Sequence, residues 1–87
     1  METIRQLISE GQTQEAIRLL DEYLALHKGS DEAWYLRGNA YRKMGETRLA
    51  INCYLEAIAL NPDSPAQEAY NMMIKILDFY NKDMYNH

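Results

Sequence analysis

The sequence predicts an all-α fold, a short α-solenoid of antiparallel helix pairs with about five helices, the last acting as a C-terminal cap. Two observations predict it. Sliding the 87-residue chain against itself by 34 positions brings Gly11 onto Gly45, Thr13 onto Thr47, Ala16 onto Ala50, Ile17 onto Ile51, Glu22 onto Glu56, Ala25 onto Ala59 and Leu26 onto Leu60, seven identities in sixteen positions. Self-similarity at one fixed offset marks stacked units, because a single helical hairpin cannot bury its apolar face and needs a copy of itself alongside. Apolar residues also recur every three or four positions, and no segment alternates as a strand does. The expected helices cover about 2 to 10, 13 to 27, 31 to 44, 47 to 60 and 65 to 82.

The first helix is short and irregular. In the repeat register Met1 already falls inside it, Ile4 is the repeat mate of Gly38 and Leu7 of Tyr41, so residues 1–30 read as a degenerate unit whose outer end packs loosely. The second and fourth helices each open with a Gly-x-Thr turn, Gly11-Gln12-Thr13 and Gly45-Glu46-Thr47. Gly there ends the preceding helix in a left-handed conformation, and the Thr hydroxyl is expected to cap the next one. Their apolar stripes run Ala16, Leu19, Leu20, Tyr23, Leu26 and Ala50, Cys53, Tyr54, Ala57, Leu60. Ser30 is placed to cap the third helix. Ser64-Pro65-Ala66-Gln67 supplies an N-cap, a first-turn proline and a capping-box Gln for the fifth.

That fifth helix has two unlike faces. Repeat translation puts Glu68, Asn71 and Lys75 where Trp34, Arg37 and Tyr41 stand, and Asp78 and Lys82 extend this polar stripe into water. Met72 takes the place of Gly38. On the other face Ala66, Ala69, Tyr70, Met73, Ile76, Leu77 and Tyr80 form an apolar surface able to seal a stack. The chain is thus expected to be one domain, with a degenerate unit at 1–30, a full unit at 31–64, a capping helix at 65–82 and a tail at 83–87.

The full unit carries Trp34, Gly38, Tyr41, Ala50, Tyr54 and Pro62 in one register. It resembles the tetratricopeptide repeat, a 34-residue helix–turn–helix with the pattern W-x2-L-G-x2-Y, A-x3-F, P. Arg37 stands where that family prefers Leu, and Tyr54 where it has Phe. Gly38 and Ala50 are small where two helices cross, the three aromatic residues fill the space around them, and Pro62 ends the second helix. The resemblance implies a right-handed superhelix.

Composition narrows the function. A charge of -4 gives no general attraction to nucleic acid or to an anionic membrane, and no apolar run approaches the roughly 20 residues a membrane span needs. The N-terminus reaches Glu10 before any signal-like run, and the lone Cys53 permits no intrachain disulfide, so a cytoplasmic setting is expected. His27 and His87 lack companions at metal-ligand spacing and read as surface residues. Cys53 reads as a small buried apolar side chain and the four glycines as turn or crossing residues. Adjacent carboxylates, Asp21-Glu22 and Asp31-Glu32, point different ways on their helices. No catalytic, metal or cofactor site follows, and the chain is expected not to be an enzyme.

The resemblance implies a concave surface, lined by the first helix of each unit, that holds another protein or peptide. Tyr35, Asn39 and Arg42 would line it, with Arg5 as the repeat mate of Asn39, and Ala69, Met73 and Ile76 as those of Tyr35, Asn39 and Arg42 on the last helix. Two guanidinium groups, an amide and an apolar wall suit a short segment with an acidic group and an apolar side chain, bound modestly on so small a surface. Only Asn39 and Arg42 fit the Lys, Asn and Arg carboxylate clamp of some relatives, so the clamp is not carried over. A second expectation is weak homodimerisation of a mainly monomeric chain through Met72, Ile76 and Phe79, joined by the tail residues Met84 and Tyr85.

Overall fold

The computed structural model describes residues 1–85, with side chains described through residue 79. Among the described residues the fold is five α-helices and no strand: α1 Glu2–Ser9, α2 Thr13–Leu26, α3 Asp31–Lys43, α4 Thr47–Leu60 and α5 Ala66–Tyr85. Each helix packs on its neighbour in sequence, and α1 also touches α3. This is the arrangement of stacked hairpins, and it produces an elongated molecule of 47 × 27 × 17 Å.

The turns between paired helices follow the expected glycine logic. Gly11 and Gly45 have φ of +85° and +82°, a region that costs a side-chain-bearing residue steric strain and Gly almost none. Capping differs from the expectation. Thr13 and Thr47 are the first helical residues, and the N-cap positions are Gln12 and Glu46, which make no side-chain cap bond. One residue separates each left-handed Gly from the helix, so the Thr hydroxyl sits a position too late to cap.

The serines behave as expected. The backbone N–H of Ala33 donates to Ser30 Oγ at 3.2 Å, and that of Ala66 donates to the nearly buried Ser64 Oγ at 3.1 Å. Gln67 closes no capping box; its amide donates forward to Asn71 Oδ1 at 3.2 Å. Pro65 stands just outside α5, which begins at Ala66. At the end of α4, Asn61 is extended, with φ -149° and ψ 102°, as the residue before a proline prefers to be.

Two apolar clusters form the core. The first joins Ile4 and Ile8 of α1, Ala16, Leu20 and Leu24 of α2, and Ala33, Leu36 and Ala40 of α3. The second joins Ala50, Tyr54 and Ala57 of α4 to Ala66 and Met73 of α5, and Trp34 and Tyr35 of α3 pack against both. Alanines at the crossings lose all exposure, which lets the helix backbones approach closely. On α2 the buried stripe runs through Leu24, and Leu26, expected inside, is 83% exposed beyond the edge of the stack.

Polar contacts bracket the helices. The Arg37 guanidinium donates to Asp21 of α2 at 2.8 Å and to Cys53 Sγ of α4 at 3.1 Å, and lies over the rings of Trp34 and Tyr41. Lys43 Nζ donates to the Ser9 carbonyl at 3.1 Å, placing a cation at the C-terminal end of α1, where the helix dipole favours one. Asn61 donates to Asp31 at 3.1 Å, joining the end of α4 to the start of α3. The expected polar back of α5 is exposed at Glu68, Asn71, Lys75 and Asp78, whereas Ala66 and Met73 are buried against α4. The side chains of Tyr80, Lys82, Met84, Tyr85 and His87 lie outside the described residues.

Candidate functional site

Residues 35, 39 and 42 project from one side of α3 because four- and three-residue steps return to the same helix face. Arg5, Tyr35 and Asn39 line one open depression between α1 and α3, together with Ile8, Ser9 and Leu36. The apolar part comes from core residues whose edges remain accessible. Ile8 and Leu36 read in the sequence as core alone, and the gap left by the short α1 is what opens their edges to the depression.

Each predicted residue has a specific environment. Arg5 is not a free cation: its guanidinium is bonded to the Glu32 carboxylate of α3 and lies 3.5 Å from Glu2. Tyr35 is half-buried between the two clusters, its ring 6.1 Å from that of Tyr54. Asn39 is half-buried, and the Tyr54 hydroxyl donates to its Oδ1 at 2.6 Å. Arg42 is exposed and makes no ion pair among the described residues. Burial pushes the Tyr54 phenol up to about 12, with the Arg42 charge opposing it.

The α5 residues do not join this depression. Met73 is only 7% exposed and belongs to the second cluster, and Ala69 is half-buried against the same cluster. Ile76 is 49% exposed. Repeat translation places these three correctly along the helix, but a terminal helix must seal α4, and Met73 turns inward to do so.

The remaining chemistry-bearing groups have structural partners. Cys53 is buried, and desolvation raises its thiol pKa, with the Arg37 guanidinium working the other way. A buried thiol held in its neutral form is a poor nucleophile. His27 is exposed and stacks on Tyr23 with ring centroids 4.4 Å apart. Asp21 serves Arg37, and Glu22 serves Arg18. Among the described residues no helix is long and apolar enough to cross a membrane.

Stacked two-helix units with a small-residue crossing and an accessible first-helix face define a helical repeat protein. Residues 31–64 match the model of the tetratricopeptide repeat, and residues 1–40 match a second model of the same repeat; the chain belongs to the tetratricopeptide repeat family. Repeats of this family generally mediate protein–protein interaction and are generally non-catalytic. The solution NMR structure of Bacteroides fragilis protein BF1650 is similar, with a TM-score of 0.88 and 53% identity over 98% of this chain and 87% of that one. An uncharacterized protein of Treponema pallidum (strain Nichols) is 36% identical over 67 residues, covering 70% of this chain. The matched region spans 13% of that relative's length.

Proposed function

We propose that this protein is a non-catalytic adaptor or scaffold module that holds a short segment of another protein on the face of α1 and α3. The carrying observation is the union of an apolar floor, Ile8 and Leu36, with the polar groups of Tyr35 and Asn39 in one depression. Arg42 follows Asn39 on the same face and, with no carboxylate of its own chain, is the cation available to an incoming acidic group. Arg5 is already neutralised and serves to fix α1 to α3. The partner is thus a peptide or protein segment with one acidic group beside an apolar side chain. A contact area this small gives modest affinity unless further modules act in series. The buried free thiol of Cys53 suits a reducing, cytoplasmic setting.

A titration with short acidic-apolar peptides, followed by amide chemical shifts, tests this reading. The expected result is movement of Tyr35, Asn39 and Arg42, lost in Tyr35→Ala and Arg42→Ala; shifts confined to other surfaces would remove it. A second reading is favoured by one observation: Met72, Ile76 and Phe79, one shoulder of α5, are 55%, 49% and 73% exposed. An apolar stripe of this kind can dock a second copy of the chain. Sedimentation at several concentrations decides it, with Ile76→Glu expected to abolish any dimer and a constant monomer mass ending the idea.

A further inference from the structure

The inference concerns Tyr54 and rests on the groove reading above. Tyr54 occupies the slot where the family pattern has Phe, and its ring is fully buried against α3. A Cβ at Gly38 would stand 2.6 Å from Tyr54 Cε1, so it is the bare backbone at 38 that lets the ring lie this close. The hydroxyl then arrives one residue further along α3, 2.6 Å from Asn39 Oδ1. A phenyl ring would fill the same space, so the hydroxyl serves something other than packing. A buried phenol needs an acceptor, and a carboxamide has one acceptor oxygen and one donor nitrogen to divide between two sides.

We propose that the Tyr54 hydroxyl is a positioning group: by occupying Oδ1 of Asn39 it turns the Nδ2 amino group toward the groove. The groove face then offers Asn39 N–H donors next to the Arg42 guanidinium and selects a carbonyl or carboxylate oxygen on the bound segment. The opposite amide orientation would present an acceptor and select backbone N–H groups instead. The phenol remains neutral and donating throughout the working pH range, since burial pushes it up to about 12.

Tyr54→Phe is the test, because it restores the family's own ring and keeps the packing. In the free wild-type protein, NMR should find an ordered Asn39 side-chain amide and a slowly exchanging Tyr54 hydroxyl proton with no short-range contact to the Asn39 Nδ2 protons. In Tyr54→Phe the fold and melting temperature should persist while the Asn39 amide loses its order. An Asn39 amide unchanged in the variant, or a strong contact between the phenol proton and the Nδ2 protons, overturns the proposal. The second arm uses the capped probe acetyl-Asp-Leu-Asp-Leu-Asp-Leu-amide. Tyr54→Phe should weaken its binding about three- to tenfold, the size of one neutral hydrogen bond. Asn39→Ala should weaken it similarly, and the double variant no further, because the two residues act as one unit. Additive losses overturn the positioning role. A probe that moves no groove resonance in the wild type sinks the groove reading, while the amide measurement in the free protein still decides the orientation of Asn39.

Discussion

At position 38 a hydrogen in place of a methyl group sets how α3 and α4 meet. A Cβ there would press into the Tyr54 ring at 2.6 and 2.7 Å, and that ring is buried with no free space to retreat into. Gly38→Ala is therefore expected to cost about 1–3 kcal/mol, the usual penalty of overpacking, despite the gain in helix propensity. Gly29→Ala is the control, since a Cβ at Gly29 meets nothing within 4 Å. Urea unfolding of both variants checks this, and equal midpoints would show that the helices can spread without penalty. Tyr54 and Cys53 give the fold an alkaline limit, because burial raises both pKa values above their ordinary 10.0 and 9.0. A raised folded-state value means that the stabilising contribution is complete below the unfolded value and is lost as pH rises through the folded one. Unfolding measured from pH 8 upward should show stability falling past about pH 9 to 10, and Tyr54→Phe should flatten the part between about 10 and 12.

At the scale of the helices, the caps and the Arg37 bracket decide how firmly each element is held. Ser30→Ala removes the only side-chain cap bond of α3 and should cost about 1 kcal/mol, whereas Thr47→Ala removes no cap bond and should cost less. Circular dichroism melts separate the two. Arg37 touches α2 and α4 at once while its stem and guanidinium cover Trp34 and Tyr41. Arg37→Ala is expected to cost about 1–2 kcal/mol through lost packing as well as lost charge, and Arg37→Leu, the family residue, to recover most of it. The same chemical denaturation series measures both. The existence of these helices was legible in the sequence because the repeat, the glycine turns and the apolar period all act locally and agree. The Thr caps were misread, since the one residue between the glycine and the helix leaves no trace in composition. Arg37 looked like a plain departure from the family pattern; that it reaches Asp21 and Cys53, each sixteen residues away, is a property of the stack.

Over the whole molecule, repeat translation assigned faces correctly where a helix has neighbours like its repeat mate and failed where it does not. Tyr35, Asn39 and Arg42 lie on a helix flanked on both sides, whereas Met73, translated from Asn39, lies on a terminal helix and is drawn into the seal over α4. Arg5 was legible as a groove residue and not as the partner of Glu32, because the pairing depends on the spacing between α1 and α3. The same nearest-neighbour logic governs stability. In a stack where each helix mainly contacts its sequence neighbours, inner helices are held on both sides and end helices on one. Hydrogen exchange should accordingly be slowest in α3 and α4 and faster in α1 and α5. Met73→Ala, which empties part of the second cluster and should cost about 2–5 kcal/mol at that site, tests how far the loss travels. The expected outcome is a large loss of protection in α5, a smaller one in α4, and amides of α1 and α2 close to wild type. Equal loss in all five helices would mean that Trp34 and Tyr35, which pack against both clusters, weld them into one cooperative unit.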